Sequence, residues 1–425
     1  MLKKTLTKNI SEKLNISFFT KNILTLVTGS VIAQAIPLLV TPVLTRIYSP
    51  ENFGLLALYI GISSIIANIA SGRYELAIIL PKSLNESKSI IKLSIVISFF
   101  ISAIFFLVIV GFNSHITSLL GNEKISPWLY FIPVSILLNG AYQSYYYWMN
   151  KNRRYKQMSI SKITRTSTTS IAAIILNFFP LGLLFAQLLG RLSSTLYLLI
   201  YAKKKYPIRF FTENHNINTV AIKYKQFPLY DIPTSLISSS TQNLPNILFN
   251  TIFSAISGGY YYLANRVIGL PITLVSRAFL DIFKQQAAEE YSEVGNSKKA
   301  FMRTFKIMLL LGFIPFTIFF IYSEEIFSIV LGKEWYIAGT YAKILIPMVF
   351  LRFLAGPVSF MFYIANKQLY NLIGQFSILS LLIVSFLIGH YYDSELITLY
   401  IISVSFSIFY IIYIFISYKL AINKK

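Results

Sequence analysis

Long apolar stretches alternate with short polar ones along the whole chain. Stretches of about 20 or more mostly apolar residues, the length that crosses a bilayer as a helix, fall at roughly 22–45, 53–72, 89–112, 127–149, 159–179, 181–202, 232–254, 259–282, 303–322, 336–364, 368–389 and 396–418. The pattern predicts an all-α integral membrane protein with twelve transmembrane helices. The spans at 159–179 and 232–254 are the most polar, rich in Ser, Thr and Asn. Residues 1–21 carry Lys3, Lys4, Lys8 and Lys13 without a compact apolar run or a small-residue cleavage site, which predicts no cleaved signal peptide.

Composition agrees with lipid as the main solvent. The 425 residues are 55% hydrophobic and 13% charged, where a soluble chain carries about 25% charge, and the mean hydropathy is +0.62. These values exclude a soluble enzyme, a secreted domain and a disordered chain. With 0 cysteines, disulfides and thiolate-ligated metals are excluded. His115, His215 and His390 are far apart in sequence, so neither a metal centre nor a cofactor is expected. No glycine-rich phosphate loop followed by Lys-Ser/Thr occurs, which argues against ATP hydrolysis.

The net charge of +22 acquires a meaning once the spans are in place. With the N-terminus inside, 28 of the 38 Lys and Arg residues fall on the cytoplasmic side, while Arg46, Lys124 and Lys333 fall outside. Basic loops on the cytoplasmic face are the rule in membrane proteins, so the charge reports topology and not nucleic-acid binding. The outer loops are short, the longest near 113–126 and 323–335, and leave no room for a folded domain.

The chain also repeats itself. The segment IYSPENFGLLALY begins at Ile47 and IFSAISGGYYYLA begins at Ile252, with Ile47/Ile252, Ser49/Ser254 and Gly54/Gly259 identical and Tyr48/Phe253 aromatic in both. Both segments fall on the outer turn joining the first two spans of a half. This predicts two six-helix lobes related by a parallel repeat, a known transporter plan: an N-lobe at 1–206, a cytoplasmic connector at 207–228 within the longest inner loop, about 203–231, which begins with KKKYPIRFF, and a C-lobe at 229–425.

Ionisable residues inside spans are expensive and usually functional. The in-span cations are Lys162, Arg165, Arg191, Arg266, Arg277, Lys343 and Arg352, and carboxylates are nearly absent, with Asp231 and Asp281 only at span ends. A cavity with fixed cations suits an anion, and a guanidinium fork matches phosphate oxygens. Arg191 shares a helix face with Gln187 and Ser194, and Lys162 and Arg165 share one with Thr166 and Thr169. Arg266, Thr273, Arg277 and Asp281 project within a narrow arc if the span is one regular helix. Arg73 follows the second span closely, as a ligand for the same anion or as an inner-surface anchor paired with Glu75. The bland reading of Arg277 is pairing with Asp281, and that of Lys162 and Arg165 is snorkelling to headgroups. The uncharged polar residues in spans, Gln34, Asn68, Asn139, Gln143, Asn177, Gln242, Asn243, Asn246, Asn250, Asn265 and Gln375, serve interhelical bonding, the more frequent use, or sugar hydroxyls. The aromatic clusters at 145–148 and 260–262 serve sugar stacking or an aromatic belt.

Three segments carry a family resemblance: PLLVTPVLTRIYSPENFG with RYELAIILPK within 37–82, FSIVLGKEWYIAGTYAKILIPMVFLRFLAGPVS at 327–359, and more weakly GYYYLANRVIGLPITLVSRAF from Gly259. The chain thereby resembles bacterial polysaccharide flippases of the multidrug/oligosaccharidyl-lipid/polysaccharide exporter superfamily. The resemblance implies two six-helix lobes in the inner membrane and movement of undecaprenyl-diphosphate-linked oligosaccharide from the inner to the outer leaflet, for surface polysaccharides such as O-antigen. It implies membrane lipid and a polysaccharide polymerase with its chain-length machinery as partners, and no chemical catalysis. Two other readings are a multidrug or metabolite extruder of the same superfamily, where cationic drugs and proton coupling would call for a buried carboxylate that spans 1 to 6 lack at mid-depth, and an integral-membrane polymerase, which would call for a carboxylate cluster or a sizeable outer loop. The driving force stays open between the membrane potential and ion antiport through Asp231 or Asp281.

The charge asymmetry predicts cytoplasmic termini and a cytoplasmic connector. Reporter fusions at Lys425 and near His215 should show cytoplasmic activity only; periplasmic activity at either position contradicts the topology.

Overall fold

The computed structural model describes residues 2–205 and 217–422, with side chains from Thr25 onward except Thr273; the part of the expected connector up to residue 216 lies outside the described residues. The helices are α1 (Leu2–Ile47), α2 (Pro50–Ala67), α3 (Leu84–Leu119), α4 (Ile132–Lys151), α5 (Tyr155–Ile175), α6 (Gly182–Lys205), α7 (Ile217–Lys223), α8 (Ile232–Leu248), α9 (Ala255–Ile268), α10 (Arg277–Val294), α11 (Lys298–Leu331), α12 (Tyr336–Val358), α13 (Gln368–Tyr391) and α14 (Glu395–Ile422). The chain is an all-α, multi-pass membrane protein. Among the described residues, eight segments are long and apolar enough to cross a membrane: Thr25–Ile47 of α1, then α2, α3, α6, α11, Lys333–Ile364 around α12, α13 and α14.

The other four expected spans are helical too, as α4, α5, α8 and α9, but shorter or more polar. Their polarity has a use: α5 carries Lys162 and Arg165, α8 carries Ser238, Thr241 and Gln242, and α9 carries Asn265 and Arg266. Two of them are also interrupted. α8 passes into a π-helical turn at Phe249–Phe253, and α9 ends before a second π-helical turn at Ile272–Ser276 that leads into α10. The stretch 259–282 is therefore not one regular helix, and the arc counted for Arg266, Arg277 and Asp281 does not exist. A π turn adds a residue per hydrogen-bonded ring and rotates everything after it.

Two compact units emerge. The first comprises residues 1–44, 63–114 and 126–236, and the second residues 45–62, 115–125 and 237–425. In the first unit an apolar cluster joins Tyr74, Ile78 and Ile90 to Tyr145, Trp148 and Met149 of α4 and to Leu198 of α6.

The second unit shows why the repeat identities exist. Ser49 and Ser254 are both helix N-caps: Ser49 Oγ accepts from the Asn52 amide at 3.4 Å and Ser254 Oγ from the Ser257 amide at 3.0 Å, each satisfying a donor that a helix start leaves open. Gly54 of α2 and Gly259 of α9 lie where these helices cross with their backbones in contact. A Cβ on Gly54 would collide with the Ala255 carbonyl oxygen, and one on Gly259 with the Pro50 carbonyl oxygen. Phe53 stands edge-on to Trp335 with centroids 5.1 Å apart, and Trp335 Nε1 donates to the Thr45 carbonyl at 3.0 Å.

A further echo links α3 and α11. α3 kinks at Phe112 (φ −125°, ψ 16°) and α11 at Tyr322 (φ −111°, ψ 17°). Each kink stands at the end of an expected span, and each helix then continues to a Leu-Gly-x-Glu sequence, at 120–123 and 331–334. Gly121 and Gly332 take φ of 63° and 115° there, conformations open to glycine and disfavoured for other residues.

Gly54→Ala and Gly259→Ala are each expected to lower the thermal midpoint of the purified protein, with an overpacking cost of about 1–3 kcal/mol. Gly111→Ala, whose Cβ would meet nothing within 4 Å, should leave it unchanged, and equal midpoints for all three variants would contradict the crossing.

Candidate functional site

The second unit encloses a cavity of about 380 Å³. Its wall is built from helical stripes. Ser238, Thr241, Gln242 and Pro245 come from α8, Tyr261 and Asn265 from α9, and Met348, Arg352, Ala355 and Gly356 from α12. Asn371, Gly374, Gln375 and Ile378 come from α13, and Ile402, Phe406, Phe409, Tyr410 and Tyr413 from α14. Spacings of three and four residues set each group on one face of its helix. Small residues bring the walls together: a Cβ on Gly374 would stand 3.1 Å from the ring of Tyr413.

Among the described residues, Arg352 is the one charged side chain lining this cavity. It is exposed, as a group that meets a ligand must be, and Tyr261 and Tyr410 lie close enough to feel its charge. Asn371 is fixed in orientation, donating from Nδ2 to Tyr363 at 2.9 Å and accepting at Oδ1 from Tyr413 at 2.7 Å. Gln242 Nε2 donates to Ser238 at 3.3 Å. The chemistry of the wall is one guanidinium, several amides and hydroxyls, and the edges and faces of aromatic rings. That set suits an anion carrying hydroxylated rings.

Of the other predicted cations, Lys162, Arg165 and Arg191 lie in the first unit. Lys162 Nζ donates to Ser30 Oγ at 3.0 Å and lies 5.4 Å from the Tyr146 ring centroid; Arg165 lies 5.9 Å from that of Tyr142. Both distances are within cation–π range. Gly190 of α6 lets the helix approach the Thr169 side chain and the Arg165 carbonyl of α5, where any Cβ would collide. Arg191, next in sequence, is 7% exposed, and Ser194 on its face is buried with it. α5 and α6 are continuous helices, and Lys162, Arg165 and Arg191 all belong to this unit.

The remaining predicted residues are placed otherwise. Arg266 reaches Tyr262 of its own helix at 3.5 Å and does not line the cavity. Arg277 is exposed on α10. Asp281 pairs with Lys284 at 3.3 Å, itself 76% exposed, and not with Arg277. Arg73 pairs with Glu75 at 3.3 Å, and Asp231 ends the π-helical turn Phe227–Asp231. Lys343 is bound to Glu324 at 3.0 Å, with Thr340 on the other carboxylate oxygen. Of the aromatic clusters, Tyr145 and Trp148 are core residues, whereas Tyr261 lines the cavity. Asn371, Tyr410 and Tyr413 escaped the sequence reading; the signal was their spacing, since Tyr410 and Tyr413 continue the stripe of Phe406 and Phe409 within an otherwise apolar span.

Comparison with known proteins fits this arrangement. Residues 43–338, more than half of the chain, match the family described as polysaccharide biosynthesis protein. The chain belongs to that family. This polysaccharide biosynthesis protein is similar in structure to the lipid II flippase MurJ in an inward closed conformation, with 15% identity, 93% of this chain and 87% of that chain covered, and a TM-score of 0.73. It is also similar to an inward-facing multidrug resistance MATE family transporter of the MOP superfamily, with 13% identity, 91% and 93% covered, and a TM-score of 0.71. A MOP superfamily transporter from Pyrococcus furiosus, described by a reverse polarity of its binding pocket, follows with 13% identity, 94% of each chain covered and a TM-score of 0.56. At such identities the likeness is one of fold. No curated protein matches the polysaccharide biosynthesis protein in sequence. The fold is the one shared by these transporters and the lipid II flippase.

Proposed function

We propose that the chain moves a polyprenyl-diphosphate-linked oligosaccharide, of the undecaprenyl type used for O-antigen and other surface polysaccharides, from the cytoplasmic to the outer leaflet of a bacterial inner membrane. The observation that carries this reading is the cavity in which Arg352 is the one charged lining residue. A guanidinium pairs with diphosphate oxygens, the amides and hydroxyls of Gln242, Asn265, Asn371 and Gln375 match sugar hydroxyls, and Tyr261, Tyr410 and Tyr413 offer ring surfaces. Lys162, Arg165 and Arg191 supply a second cationic region for the same headgroup. Movement follows from alternating access of two six-helix lobes, at 1–206 and 229–425, joined by a cytoplasmic connector at 207–228. Both termini are cytoplasmic, and a polymerase with its chain-length machinery receives the product. An inside-negative potential favours outward movement of a dianionic headgroup, by roughly 2.3 kcal/mol per charge per 100 mV.

The alternative, extrusion of cationic drugs, is disfavoured by the same wall: no carboxylate is among the residues that line the cavity. In cells lacking the chain, the lipid-linked glycan should accumulate on the inner leaflet. Arg352→Ala and Arg191→Ala should fail to restore surface glycan at normal protein levels, with headgroup binding weakened about 10- to 100-fold, the equivalent of a charge-assisted hydrogen bond. Lys at either position should rescue in part, since charge remains without the fork, and the exposed Arg277→Ala should export normally. Normal export by both Arg352→Ala and Arg191→Ala would sink the reading.

A further inference from the structure

Glu75 is a carboxylate that no part of the transport reading uses. It lies between α2 and α3, in the tight helical turn Tyr74–Ile79, and is 2% exposed. Ser71 Oγ donates to its Oε2, and Arg73 Nη1 stands 3.3 Å from its Oε1. The same Nη1 reaches the Asn68 carbonyl oxygen and Oδ1, each at 3.4 Å. The backbone is bent to make this possible. Gly72 and Arg73 both adopt a φ of 62°, and a non-glycine residue in that region is uncommon and concentrates at functional sites. Nothing in the surrounding apolar cluster needs a carboxylate: Tyr74, Ala77 and Ile78 of the same turn pack into it with Trp148 and Met149.

The turn packs against α4, the π-helical turn Phe227–Asp231 and α7, whose Ala221 carbonyl accepts from the Tyr74 hydroxyl at 3.0 Å, and it shares its apolar cluster with Ile90 and Ile91 of α3. The titratable and charged groups that face Glu75 among the described residues are therefore its own neighbour Arg73, Tyr147 from α4 and Asp231 from the π turn. Arg73 and Glu75 form one ion pair, and the packed π turn brings the Asp231 carboxylate to the same place as an additional negative charge; a buried carboxylate facing such a charge is costly to keep ionised. A proton on one carboxylate removes the excess, and Glu75 is the more deeply buried of the two. Burial raises its affinity for the proton above that of an ordinary carboxylate, and the Asp231 charge raises it further; Ser71 and Arg73 act in the opposite sense without cancelling the rise.

We propose that Glu75, held by Ser71 and Arg73 and faced by Asp231, is a reversible proton-binding site of the folded chain. On uptake the proton joins a carboxylate oxygen of Glu75, no other covalent bond changes, and Arg73 keeps its bonds to Asn68. Asp231 thus tunes the site instead of carrying the proton. The site rests on no assumption about the cargo.

Infrared titration of the purified full-length protein in lipid nanodiscs, without substrate, tests it. The wild type should show the C=O stretch of a buried protonated carboxyl whose midpoint lies above about 4.3, the ordinary glutamate value. Glu75→Gln should remove that band. Asp231→Asn, a change at a partly exposed position, should keep the band and lower its midpoint by about one pH unit, a tenfold loss of proton affinity, and Arg73→Gln should raise it. A titrating band that persists in Glu75→Gln overturns the proposal, and so does a midpoint unmoved by Asp231→Asn, which decides the matter even where Glu75→Gln does not fold.

Discussion

A fixed charge among apolar helices must be surrounded by something that replaces water, and this constraint orders much of the structure. Most of the in-span cations, Arg277 and Arg352 apart, have such a substitute. Lys343 has the Glu324 carboxylate, Lys162 a serine hydroxyl and a tyrosine face, Arg165 and Arg266 tyrosine rings, and Arg191 a buried position between close-packed helices. Arg352 is the exception that matters, because its surroundings are a cavity. The expense of an intramembrane charge is met there by open space lined with amides, hydroxyls and rings, an arrangement suited to a ligand.

The same constraint explains how much was legible beforehand. Apolar runs gave the spans directly, and three of the helices that fall short of them, α5, α8 and α9, carry Lys162 and Arg165, Ser238, Thr241 and Gln242, and Asn265 and Arg266. Faces on α5 and α6 were readable because those helices are regular, so residue spacing translates into direction. Between α9 and α10 it does not, because Gly269, Pro271 and the π-helical turn Ile272–Ser276 rotate the chain; Arg266 and Arg277 consequently part company. Asn371, Tyr410 and Tyr413 were hidden for another reason. Their helices are apolar outside one stripe, and which stripe faces a cavity depends on neighbours far away in sequence. Glu75 was hidden because a carboxylate just beyond a span reads as surface charge, whereas the tight turn folds it into the apolar cluster.

The internal repeat gains a physical content that letter matches alone lack. Ser49 and Ser254 recur because each starts a helix, and Gly54 and Gly259 recur because they form a single crossing, each glycine making room for the other helix. Gly121 and Gly332 recur because each allows the left-handed turn that ends a kinked helix. A duplicated sequence retains such positions when the backbone geometry admits no other residue. Side chains facing the cavities are free of that restriction, so the two units carry different chemistry: Lys162, Arg165 and Arg191 in the first, and a single guanidinium among amides and tyrosines in the second.

The central claim is that the cavity serves a saccharide attached to a lipid diphosphate. Its most direct test is reconstitution of the purified protein into vesicles holding a fluorescent polyprenyl-diphosphate disaccharide, with an impermeant quencher outside. The account predicts that label initially shielded in the inner leaflet becomes quenchable when wild-type protein is present, and that Arg352→Ala protein leaves it shielded. Vesicles that expel a lipophilic cation while the lipid-linked saccharide stays in its leaflet would contradict the account.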